Sequence, residues 1–237
     1  MNHLLTLAIT FLVSSGPSLF TTRVYGSQAD GIQTTALKLL ERSKSRYAQA
    51  RTCELDVQTR TQGGPASLRE QRYLIRYRAP DHLYIKTLAG IGKGSETLTT
   101  PKGTAEWNGQ AGQFRFWPEP AWSYSLGAEV QRRFAFIHDQ VGLTLPGTVT
   151  RITPERRQGQ QTLHIFSTWT LSPTQEQVVS EWWIRKDSGA VVERRLKAPS
   201  QFFALDVPPG QWDRTWVVVG EKHDVSLPVA AFDVRRE

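Results

Sequence analysis

The stretch Tyr73 to Thr100, YLIRYRAPDHLYIKTLAGIGKGSETLTT, decides how the rest of the chain is read. Tyr73, Ile75 and Tyr77 alternate with Leu74, Arg76 and Arg78, the period of two that belongs to a β-strand. Pro80 ends the run, because proline lacks an N–H for the ladder and pushes its predecessor into extended geometry. Alternation resumes from His82 to Leu88. The loop Gly90-Ile91-Gly92-Lys93-Gly94 follows, and the chain leaves it through Ser95-Glu96-Thr97-Leu98. This is sheet scaffold carrying an exposed, partly apolar loop, and it holds no catalytic signature.

The same alternation spreads in both directions. Upstream, Cys53 to Thr61 reads as a strand turned by Gln62-Gly63-Gly64-Pro65 into Leu68 to Arg78. Downstream, Thr97 to Thr100 turns over Pro101-Lys102-Gly103 into Thr104 to Trp107. Asn108-Gly109 is then a hairpin signal leading to Gln113 to Trp117. Thr148 to Thr153, Thr162 to Thr170, Val178 to Arg185 and Ala190 to Leu196 predict four more strands. The last two form a hairpin over Lys186 to Gly189, with Trp182, Ile184, Val192 and Leu196 on its apolar face. Trp216 to Val219 and Val229 to Val234 are expected to close the chain as another hairpin.

Two helices interrupt this pattern. Asp30 can cap a helix running to about Ala50, with Ile32, Ala36, Leu39, Leu40, Ser43 and Tyr47 on one stripe. Val130, Phe134, Ile137 and Val141 predict an inserted helix between Leu126 and Gln140. The fold class that follows is α+β: a strongly curved antiparallel sheet, an open half-barrel, packed on the N-terminal helix and the inserted one.

Composition narrows the function. The 237 residues carry a formal net charge of +7, 39% hydrophobic residues and eight Trp. Their basic residues are scattered along many strands rather than gathered on one recognition module, which argues against nucleic acid as a partner. Leu4 to Val13 is an apolar run of signal-peptide length, too short to span a bilayer. We therefore expect a signal peptide over residues 1–29, one domain over 30–237, and export to the periplasm or cell envelope. Cys53 is the sole cysteine and reads as a buried free thiol.

The chemical motifs do not assemble. Gly92-Lys93 is followed by Gly94, and Thr87 stands where a phosphate-binding loop needs its first glycine. His3, His82, His138, His164 and His223 form no metal-binding spacing, so neither metal nor cofactor is expected. His138-Asp139 could orient a base, but adjacent helical side chains diverge and no Gly-x-Ser-x-Gly elbow supplies a nucleophile. Glu96, among Arg76, Arg78 and Lys86, reads as a cross-strand ion pair.

Arg76-x-Arg78-x-Pro80-x-x-Leu83-Tyr84-Ile85-Lys86, followed by Lys93-Gly94-x-Glu96-x-Leu98, resembles an uncharacterised family of exported bacterial domains. Arg133-x-x-x-x-His138-x-x-x-Gly142-Leu143 looks similar too. The strand pattern and the Trp182-Trp183-Ile184-Arg185-x-x-x-Gly189 hairpin resemble the periplasmic lipoprotein-carrier superfamily. The resemblance spans roughly residues 34 to 200. It implies an open half-barrel around helices whose concave face holds acyl chains. No binding residue transfers position by position, and the lipidated cysteine of that superfamily's membrane receptor is absent.

The expected activity is therefore non-enzymatic: binding or carriage of a lipid or lipoprotein acyl chain in an apolar cavity. Leu83, Ile85, Phe114, Phe116, Trp182 and Ile184 are the candidate cavity residues. Leu88 and Ile91 on the glycine-hinged loop are candidates for peripheral contact with a membrane or partner. The alternative is an envelope sensor or scaffold that binds another protein through its curved sheet. A hydrolase using His138 is the third possibility.

Overall fold

The computed structural model describes residues 27–64, 69–79, 82–118, 148–171, 175–200 and 210–234. Helix α1 (Ser27–Gln49) leads into β1 (Thr52–Gln62), β2 (Glu70–Arg78), β3 (His82–Ala89), β4 (Glu96–Thr100), β5 (Gly103–Asn108) and β6 (Gln113–Pro118). The second half supplies β7 (Thr148–Arg157), β8 (Gln160–Thr170), β9 (Gln177–Arg185), β10 (Val191–Pro199) and β11 (Gln211–His223). All join one 11-stranded sheet in the order β6-β5-β4-β3-β2-β1-β11-β10-β9-β8-β7. Each half is an antiparallel meander, and the last strand, β11, pairs with β1 to weld the halves at the centre. The outer strands β6 and β7 do not pair with each other, so the sheet is an open half-barrel rather than a closed barrel.

Alternation makes these strands two-faced. In β1, buried Cys53, Leu55, Val57, Thr59 and Thr61 point to one side, while Glu54, Asp56, Gln58 and Arg60 point to the other. Four ladders carry register shifts, at Asp56/Val57, Arg72/Tyr73, Val191/Glu193 and Val149/Arg151. Such extra residues bend a strand and increase its twist, which gives so wide a sheet its curvature.

The inner face carries two apolar clusters. Ala36 and Leu40 of α1, with Ile32 and Leu39 beside them, pack on Val149, Ile165, Trp182, Ile184 and Val191. These are the helix-stripe residues that the periodicity predicts, and Ser43 is buried with them. The second cluster joins Leu55, Val57, Ile75, Tyr77 and Leu83 to Val178, Leu196 and Trp216 across the sheet's centre.

The outer face is an ion-pair lattice. Arg72 bonds Asp56 at 2.8 Å, Arg76 bonds Glu54 at 2.9 Å, and Lys86 bonds Glu96 at 2.7 Å. The last is the cross-strand pair that the sequence predicts, set directly opposite in the β3–β4 register.

The expected closing hairpin does not form. β11 runs uninterrupted past Gly220, with Val219 as the extra residue of a bulge, and Val229–Phe232 is a 3₁₀ turn. A partner strand beside β11 is impossible, because β1 and β10 already occupy both of its edges. The chain instead crosses the outer face, where Phe232 is buried under the Arg78 guanidinium, 4.7 Å from the ring centre. The Asn108-Gly109 hairpin does form, with a longer loop: Gly112 N–H donates to Asn108 O at 2.8 Å. The apolar run at Leu4 to Val13 and the helix expected between Leu126 and Gln140 lie outside the described residues. Among those described, no helix is long and apolar enough to cross a membrane.

Candidate functional site

The inner face between the two clusters holds an unusual row of side chains. Strand register places Gln71, Thr59, Trp216, Arg194, Trp182 and Ile165 in one line across β2, β1, β11, β10, β9 and β8. The next line inward along the strands reads Thr61, Arg214, Leu196, Ser180 and Ser167. Both arginines thus stand where strand alternation calls for apolar residues, between Val192 and Leu196 and between Trp212 and Trp216.

Arg194 is 1% exposed. Its guanidinium lies between two indoles, 4.9 Å from the Trp182 ring centre and 4.7 Å from that of Trp216. Arg214 is the second cation, 5.4 Å from the Trp216 ring. Among the described residues, none of the Arg194 nitrogens Nε, Nη1 and Nη2 has a hydrogen-bond partner, and neither has Arg214 Nε. Burial, reinforced by repulsion from Arg214, pushes the Arg194 guanidinium down to about 9. Burial lowers Arg214 as well, opposed by Tyr73.

The surrounding groups do not compensate. Thr59, Thr61 and Ser180 hydroxyls and the indole N–H groups of Trp182 and Trp216 are also buried without partners. A buried cation loses several kcal/mol of hydration. Each indole face returns at most about 2 kcal/mol when desolvated. The row is rich in donors and holds no carboxylate, so it can receive an anion.

The sequence-predicted residues fall into separate places. Leu83 is fully buried and Ile85 half-buried, both on the inner face with Leu55 and Ile75. Trp182 and Ile184 share that face but lie in the cluster beneath α1, so packing already uses them. Phe114 and Phe116 sit on the edge strand β6, exposed, with Phe116 at 51%. Register pairs Phe116 through Ala105 and Leu98 to Tyr84, which places both phenylalanines on the opposite face from Leu83 and Ile85. Leu88 is half-buried near the end of β3, while Ile91 is exposed on the following loop. His138 lies outside the described residues.

Sequence reading missed Arg194 and Arg214. The signal was present: each is a charge on the apolar phase of a strand, flanked two residues away by Trp216, Trp212, Val192 or Leu196. Only their clustering needed the sheet order.

The outer face offers an open cavity of about 550 Å³ lined by Glu54, Arg76, Lys222, Leu227 and Ala231. Its acid is spoken for. Hydrogen bonds from Arg76 and Lys222 hold the Glu54 carboxyl below the usual range. Among the described residues no group of His, Cys, Asp and Glu is placed to hold a metal ion. Cys53 lies on the inner face with its Sγ 3.8 Å from His223 Nε2. Burial, and next the charge of Glu221, push its thiol up to about 12, which makes it a poor nucleophile.

No protein-family model matches the chain, and no curated protein matches it. Solved structures similar to it include the Mycobacterium tuberculosis lipoprotein LppX, at 16% identity over 83% of this chain and 98% of that one, with a TM-score of 0.47. A LolA superfamily protein from Nitrosomonas europaea aligns at 10% identity over 84% of this chain and 97% of that one, TM-score 0.36. The Pseudomonas aeruginosa MucA/MucB complex aligns at 12% identity over 85% of this chain and 61% of that one, TM-score 0.47. Likenesses this distant transfer neither ligand nor partner to this chain.

Proposed function

We propose that this chain is an exported, non-enzymatic carrier or binding protein that holds a lipid or lipoprotein acyl chain against the inner face of its half-barrel. The observation that supports this most is the apolar lining of that face, which extends past the cluster under α1. Among the described residues, the apolar side chains of α1 pack in the β7–β10 cluster, while Arg46 reaches Glu221 of β11 at 2.9 Å. The apolar lining continues beyond that cluster through buried Leu55, Ile75 and Leu83 to half-buried Tyr73 and Ile85. A flexible chain laid along it would gain about 0.8 kcal/mol for every methylene removed from water. Ligand sites of this kind are largely apolar, with a few polar groups that set orientation.

The test is native mass spectrometry, with lipid extraction, of protein purified from its own envelope. Lipid should co-purify and be lost in Ile85→Glu, a half-buried position where a charge does not have to enter the core. A bare polypeptide mass, together with no uptake of a fluorescent fatty acid, removes the carrier reading.

One feature favours a second reading, a scaffold that binds another protein. Strand β6, the last of the described sheet on that side, presents exposed Phe114, Phe116 and Trp117, and among the described residues its outer edge has no strand partner. Such an edge can accept a partner's strand by main-chain hydrogen bonding. Cross-linking from a photoreactive residue at Phe116 to an envelope protein would support this use of the sheet.

A further inference from the structure

We infer that Arg194 and Arg214 form a buried receptor for the single acidic head group, carboxylate or phosphate, of an amphiphile whose apolar tail occupies the inner face. This rests on the carrier reading and specifies the ligand's chemical class.

Five observations converge. Arg194 is fully buried, yet its three guanidinium nitrogens have no hydrogen-bond partner among the described residues. Arg214 adds a second, half-buried cation from the neighbouring strand, set one step along from Trp216, which pairs with Arg194. The Arg194 guanidinium carbon lies over both the Trp182 and Trp216 rings, contacts that consume none of its N–H donors. Thr59, Thr61 and Ser180 bring further unpartnered hydroxyls to the same two lines of the sheet. Finally, each aromatic wall belongs to a different apolar cluster, Trp182 to the one under α1 and Trp216 to the central one. A head group held here would have apolar surface on either side for its tail.

The chemistry selects the ligand. A guanidinium presents parallel N–H groups that match the two oxygens of a carboxylate or phosphate. The opposite demand, a cationic or hydroxyl-only head, would leave both arginines as they are. The indole sandwich by itself satisfies the flat faces of Arg194 but none of its hydrogen-bond donors.

The experiment measures binding of matched-length ligands to the full mature chain by calorimetry: a fatty acid, an alkyl phosphate and a fatty alcohol, with acetate and inorganic phosphate as tail-free controls. Wild type should prefer the two acidic amphiphiles over the alcohol by about tenfold to a hundredfold, the range of a charge-assisted hydrogen bond. In Arg194→Met, and separately in Arg214→Met, that preference should collapse toward unity while the alcohol still binds. Met keeps the apolar stem length, and loss of a buried unpaired charge favours folding rather than opposing it. Circular dichroism establishes that each variant is folded, and Arg194→Lys, which keeps charge without the fork, should retain part of the preference.

The outcomes separate the two ideas. Equal binding of acid and alcohol by wild type, or an unchanged preference in both variants, overturns the head-group receptor and leaves the carrier intact. Binding of inorganic phosphate as tight as the alkyl phosphate assigns the site to a free ion and overturns the amphiphile. Binding of acetate or phosphate with no amphiphile overturns the carrier and with it this ligand class. No binding by any of the five overturns both.

Discussion

His164 lies flat on Trp183, ring centres 4.4 Å apart and planes 9° from parallel. The imidazole is buried on the outer face between two acids, Nδ1 at 3.1 Å from Glu155 and Nε2 at 2.9 Å from Glu181. Arg157 covers another approach to the same indole at 4.6 Å and bonds Glu193 at 2.7 Å. His164, with its two acidic neighbours, thus belongs to a stack that ties β7 to β10.

That stack gives the protein an acid limit. The hydrogen bond from His164 holds the Glu181 carboxyl below its ordinary value, despite partial burial. A carboxyl depressed by folding stabilises the protein above its ordinary value of 4.5 and loses that contribution as pH falls through the folded value. Melting temperature should therefore drop as pH is lowered through and below 4.5. Glu181→Gln should cost about 1–3 kcal/mol at pH 7 and flatten the acid limb of the melting profile. An acid limb as steep in the variant as in wild type would remove Glu181 as its source.

Position on the sheet, not side-chain size, should decide the cost of truncation. Leu83→Ala empties a buried site and should destabilise by about 2–5 kcal/mol. Phe116→Ala removes a larger side chain from an exposed edge and should stay within about 0.5 kcal/mol. Urea unfolding of both variants measures the contrast directly.

Cys53 should behave as an inert core residue. Its thiol is buried and driven up to about 12, so a neutral-pH thiol reagent should leave the native protein unlabelled. The same reagent should modify one equivalent in denaturant. Rapid labelling of native protein would show that β1 opens locally.

Gly109 should not tolerate a side chain. Its backbone N–H donates to Ser95 Oγ at 3.0 Å, tying the β5–β6 turn to the loop that carries Ile91. A Cβ at this position would meet the Gly94 carbonyl carbon at 2.4 Å, and that neighbour is backbone that cannot swing aside. Gly109→Ala should therefore part the two loops at a cost of about 1–3 kcal/mol. Faster amide exchange at Ser95 and Gly94 is the expected signature, and unchanged exchange would mean the loops are independent.

Period-two alternation by itself determined most of the strands, their outer and inner faces and the Lys86–Glu96 pair, and helical periodicity gave the stripe of Ala36, Leu40 and Ser43. These are consequences of local geometry, because neighbours on one strand or across one tight turn are few residues apart in the chain. Tertiary structure alone decided that β11 inserts between β1 and β10, which denied Val229–Phe232 a strand partner. It also sent Phe114 and Phe116 to an exposed edge, away from Leu83 and Ile85. Most of all, it brought Arg194, Arg214, Trp182 and Trp216 together from three strands. Each arginine was visible as a misfit in its own strand, but a binding row exists only once sheet order and curvature bring several strands to one inner face.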